Sequence, residues 1–169
     1  MTAVHFAIHR FTTDIEELDE QAVARLVASD ADFVASLCDL DALEGALVIG
    51  DASIVDDLAS ATQRLCFEAV EALSVPGATY AYPYFTSTAR AAFASSPGGS
   101  TIRLSGDDVP PREFSRATLL PALYACGLRY LAFVEELGRR GRVSSEAELS
   151  HLRPFAGRAQ SALTSLGLT

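Results

Sequence analysis

The chain has 169 residues, 49% hydrophobic and 21% charged, the balance of one globular domain (1–169) that buries a core without disulfide or metal. Lysine, asparagine and tryptophan are absent and all 13 basic residues are arginine, which excludes a phosphate-loop lysine, a Schiff-base lysine, an N-glycosylation site and a Cys-His-Asn triad. The net charge of −9 is uneven: residues 1–60 carry 13 acids against Arg10 and Arg25, a net of −11, while residues 61–169 carry 9 acids and 11 arginines, a net of +2.

Val4, Phe6 and Ile8 alternate with His5, Ala7 and His9, the period of a strand with one apolar face. Thr13 and Glu16 have capping-box spacing, and Ile15, Leu18, Ala22 and Leu26 continue at helical spacing, so a helix is expected there. A second short helix is predicted over Asp30 to Leu40, and Ala46 to Ile49 reads as a strand or a buried turn. Asp51 is placed as the N-cap of a long helix, Ala52 to Leu73, with Ile54, Leu58, Ala61, Leu65, Ala69 and Leu73 as its buried stripe. Ala78 to Ala94 alternates and is rich in Thr, Tyr and Phe, so it reads as a strand. The turn at 95–99 then leads to a returning strand, Thr101 to Leu104. Asp107 to Pro111 opens a helical region that Pro121 kinks or restarts, Gly138 to Gly141 breaks it, and Ser145 with Glu148 caps a last helix that Pro154 splits. The expected class is α+β: a small mixed or antiparallel sheet of about three strands packed against four or five helices.

No reactive centre stands out. His5 and His9 in a strand have Cα atoms ~13 Å apart, too far for one metal ion. Cys38, Cys66 and Cys126 are odd in number and widely spaced, with acids after the first and apolar helix around the others, the pattern of free thiols in a reducing compartment. Adjacent carboxylates such as Asp56 and Asp57 diverge on a helix and supply no acid–base pair. The start of the chain lacks the basic and apolar segments of a signal peptide and no apolar run approaches bilayer length, so the cytoplasm is the expected location, with no membrane contact.

Two interaction signals remain. The acidic first third, with Glu16, Glu17, Asp19, Glu20, Asp30, Asp32, Asp39 and Asp41 as candidate contact residues, repels nucleic acid and speeds encounter with a basic partner. Tyr80, Tyr82 and Tyr84 sit at i, i+2, i+4, so in a strand they share one face, either as interface anchors or beneath a covering helix. In composition the chain is similar in kind to the bacterial immunity proteins that neutralise cognate toxins. That likeness implies a non-catalytic, antitoxin-like protein without cofactor or metal, whose acidic surface binds a basic protein such as a nuclease-like toxin. The alternative expectation is a small-molecule binder or enzyme with a pocket between the Tyr80–Phe85 strand and the Phe114–Leu137 helix, lined by groups such as Tyr82, Arg103 or His151. A homo-oligomer is compatible with either.

Overall fold

The computed structural model describes residues 3–84 and 90–168. Over these residues it is an α+β protein with two four-stranded antiparallel sheets and five helices, where the sequence leads one to expect a single sheet of about three strands. β1 (Val4–Phe11) turns tightly into β2 (Ile15–Asp19), and two short helices, α1 (Glu20–Ser29) and α2 (Ala31–Cys38), lead to β3 (Glu44–Ile49) and β4 (Ala52–Asp57). The sheet order is β2-β1-β3-β4. Val4, Phe6 and Ile8 face inward, as their alternation predicts.

The expected capping box at Thr13–Glu16 is a hairpin turn instead. Thr12 N–H donates to the Asp14 carbonyl at 3.1 Å, and Phe11 stands opposite Ile15. Thr and Asp suit turns as well as caps, so the motif alone does not separate the two. The cap of helix α1 comes six residues later, where the Asp19 carboxylate accepts from Ala22 N–H at 2.7 Å. Asp51 is likewise not a cap. Gly50, at φ 64°, turns β3 into β4, and buried Ala52, Ile54 and Asp56 alternate with exposed Ser53 and Val55. Ile54 and Leu58 fit a helical stripe, but the intervening period is two.

The helix α3 spans 58–73, capped by Asp57 onto Ser60 N–H at 2.8 Å. Its middle, Thr62–Glu68, winds as a π-helix. The wider turn points Leu65, Cys66 and Phe67 into the core together, which a 3.6-residue stripe does not anticipate. The second sheet is a meander of β5 (Thr79–Pro83), β6 (Arg90–Ser95), β7 (Thr101–Gly106) and β8 (Arg112–Ser115). The single strand expected over Ala78 to Ala94 is therefore two, and its positions 85–89 lie outside the described residues. β8 occupies part of the segment read as helical after Asp107.

Helices α4 (Arg116–Arg139) and α5 (Ser145–Ser165) follow. Both run through their prolines, Pro121 and Pro154. Leu119, Leu120 and Leu123 surround the first, and Leu149, Leu152 and Ala156 the second; burying them on both sides outweighs one missing helical bond. The α5 capping box is not made: Ser144 is the N-cap residue, and Glu148 turns inward instead. Helix α4 has an 18-residue window of mean hydropathy 1.4, long and apolar enough to cross a membrane, with 39% of the window buried here. Its inner face joins one continuous core that takes side chains from both sheets and all five helices.

Candidate functional site

The β1–β2 hairpin runs past the end of β3. Pairing with β3 stops at Ile8 opposite Gly45, whereas pairing with β2 continues to Phe11 opposite Ile15. This overhang leaves Phe11 59% and Ile15 64% exposed, large apolar side chains set against each other in water. Beside it, α2 and the following loop complete a cleft of about 330 Å³ lined by Arg10, Phe11, Asp32, Phe33, Leu37 and Leu40. The Arg10 guanidinium lies 5.6 Å from the centre of the Phe33 ring.

Three of the eight candidate acids lie on this overhang or its cleft, and two more adjoin Leu40 in sequence, which also lines the cleft. Glu16 stands across from Arg10, and Glu17 is 3.5 Å from His9. Asp32 lines the cleft, and Asp39 and Asp41 flank Leu40, itself 43% exposed. All five are exposed. The loop bearing the last two is held from inside by Arg142, whose side chain is wholly buried. Its guanidinium bonds Glu148 at 2.7 Å and donates to the carbonyls of Leu40 at 3.3 Å and Asp41 at 3.2 Å.

The other three acids are engaged by the fold. Asp19 caps α1, and Asp30 caps α2 by accepting from Phe33 N–H at 2.9 Å. Glu20 pairs with Arg129 at 2.6 Å and accepts from Phe6 N–H at 3.0 Å. Carboxylates so held contribute to the field around the chain but are tied in direction.

The tyrosines share a face, as the strand alternation implies, and that face turns to α3. Tyr82 is fully buried with its hydroxyl on the Asp56 carboxylate, and Tyr80 donates to Glu68 at 2.8 Å. Glu68 accepts in turn from Gln63 at 2.7 Å, and Gln63 meets His151 at 2.7 Å. Burial, then the facing carboxylate, pushes the Tyr80 and Tyr82 hydroxyls well above the ordinary phenol range. Burial raises Tyr84 as well, and among the described residues nothing bonds its hydroxyl. Tyr82 therefore offers no surface to a partner, and Tyr80 and Tyr84 offer part of their rings.

Other clefts lie elsewhere. A groove of about 430 Å³ between α1 and α4 has Phe6, Val23, Val27 and Phe133 in its lining, with the pairs Glu20–Arg129 and Glu136–Arg140 on it too. None of the clefts described is lined by both the Tyr80 strand and α4. Among the described residues no group of three or more His, Cys, Asp or Glu side chains is placed to hold a metal ion.

Sequence reasoning missed the apolar half of the overhang. Phe11 and Ile15 flank Thr-Thr-Asp symmetrically, a hairpin signal that the helical reading of Ile15 concealed. No family model matches the chain, no curated protein matches it, and no solved structure matches its fold.

Proposed function

We propose that the chain is a non-catalytic binding protein of the antitoxin or immunity kind, acting in the cytoplasm, whose acidic overhang docks on a basic protein partner such as a nuclease-like toxin. One observation carries this reading: the exposed Phe11–Ile15 pair beside an open cleft, with Glu16, Glu17 and Asp32 around it and Asp39 and Asp41 next to Leu40 of the same cleft. Apolar anchors inside a charged rim are the anatomy of a protein interface. The carboxylates steer a cationic surface inward and can take the places that phosphates occupy in a nuclease groove. Phe11, Ile15 and Leu40 then supply contact area that slows release.

The test is capture from the source cells on immobilised protein at 50 and 300 mM salt. A parallel column carries the variant Glu16→Gln, Glu17→Gln, Asp32→Asn, Asp39→Asn and Asp41→Asn. The expected result is a basic protein retained at low salt by the wild type, released at high salt, and not retained by the variant. Equal retention on both columns, or no response to salt, refutes the proposal.

A further inference from the structure

The partner's docking segment follows from the hydrogen-bond phase of the first sheet. In an antiparallel strand, each residue turns its N–H and C=O to one side and the next residue turns them to the other. Phe6 N–H reaches Glu20 at 3.0 Å and the Val4 carbonyl reaches Arg129 at 2.7 Å, both on the side where β2 and α1 lie. The Ala3 carbonyl accepts from Gly50 N–H at 2.8 Å on the opposite, β3 side. The even residues of β1 thus bond to β2, so Arg10–Glu16 and Ile8–Leu18 are the hydrogen-bonded pairs of the hairpin. The Thr12–Asp14 bond at the turn agrees with this phase.

Glu16 and Leu18 therefore turn their backbone groups to β1, while Ile15 and Glu17 turn theirs outward. β2 is the outermost strand of its sheet and is exposed throughout except at Leu18. Among the described residues none bonds the outward N–H and C=O of Ile15 and Glu17. Such an edge is a template for another strand.

Charge decides which strand. Asp14, Glu16, Glu17 and Asp19 are all exposed along this edge. A second copy of β2 would set carboxylate against carboxylate, which cross-strand pairing disfavours, whereas a strand bearing arginine or lysine would find opposite charge at Glu16, Glu17 and Asp19. We infer that the partner adds an extended cationic strand to the free edge of β2, with an apolar side chain of that strand resting on Ile15. This inference rests on the acidic-overhang reading and specifies how that surface is engaged.

The probe is an eight-residue peptide of alternating Arg and Val, compared with the same peptide N-methylated at every second residue. N-methylation keeps charge and composition but removes the amides of one edge. The readout is residue-resolved amide exchange on the full chain at 50 mM salt. The expected result is at least tenfold slower exchange at Ile15 and Glu17, at least tenfold weaker binding of the N-methyl peptide, and a similar loss in the Glu17→Pro variant, because that amide points away from β1. Equal binding of the two peptides, without protection at Ile15 and Glu17, overturns the strand inference. If that binding still falls with salt and in the five-carboxylate variant, the acidic-surface reading stands. Failure of both peptides to bind also overturns the inference, and the capture experiment then decides the reading separately.

Discussion

Replacing Gly127 by alanine sets two opposed effects of known size against each other. Gly127 lies inside α4, where alanine is the better helix former by about 1 kcal/mol. A Cβ at this position, however, would stand 2.5 and 2.7 Å from two ring carbons of Phe67 and 2.8 Å from Cys66 Cβ. Ordinary carbon contacts are ~3.5–4.0 Å, so the neighbours must retreat by about 1 Å. Phe67 and Cys66 are fully buried in the π-turn and have nowhere to go without moving α3. Overpacking of this kind costs about 1–3 kcal/mol, occasionally more. With three contacts under 3.0 Å the cost falls in the upper part of that range, so the clash outweighs the propensity gain, and Gly127→Ala should destabilise the protein by roughly 1–2 kcal/mol, equivalent to roughly 2–8 °C in Tm for a chain of this size. Urea unfolding followed by circular dichroism measures the first, and scanning calorimetry the second. Phe67→Leu withdraws the offending ring atoms, so the double variant should be more stable than the sum of the single effects by about 1 kcal/mol. A Gly127→Ala protein as stable as wild type, or more so, would refute the close α3–α4 approach.

Three further outcomes are expected. Arg142→Met strips the half-buried Glu148 of its ion pair and the Leu40 and Asp41 carbonyls of their donor, and should cost about 3–5 kcal/mol in urea unfolding. Tyr82→Phe should cost about 1–3 kcal/mol at pH 7 through the lost hydroxyl on buried Asp56. The same variant should soften alkaline unfolding. The folded hydroxyl is held above the ordinary phenol pKa of ~10, so its contribution is complete below that pH and lost as pH rises beyond it. Stability measured between pH 9 and 12 should fall less steeply in the variant, with the remaining slope due to Tyr80, Tyr84, Tyr124, Tyr130 and the Cys66 thiol, which burial raises too. Asp57→Ala removes the cap of α3 and should cost about 0.5–2 kcal/mol, whereas Asp57→Asn should restore most of it.

Residues whose pattern answers to one period were read correctly. Val4, Phe6 and Ile8 are a strand, and Asp30 with Phe33, Val34 and Leu37 is a short capped helix, because nothing else competes for those positions. Where two periods overlap, the local pattern misleads. Ile54, Leu58 and Ala61 are all buried, yet the first lies inside a strand and the others in the first turn of a helix, and only the pairing of Ile54 with Leu47 across the sheet separates them. The π-turn leaves no mark in a 3.6-residue stripe. For the surface, the acid-rich first third was plain from composition. Which acids remain free was not, because the ties of Asp19, Asp30 and Glu20 depend on where helices begin and on Arg129, over a hundred positions away. The shared face of Tyr80, Tyr82 and Tyr84 followed from strand geometry; that α3 covers it is a matter of topology.

The anchoring of the 39–41 loop by Arg142 makes an outer surface answerable to an inner one. The backbone of Leu40 and Asp41 is slung from a guanidinium in the turn between the last two helices, so the posture of that loop is inherited from a segment a hundred positions away. Loosening the turn between α4 and α5 would let that sling go slack, so a change at one end of the fold would be felt on the surface at the other.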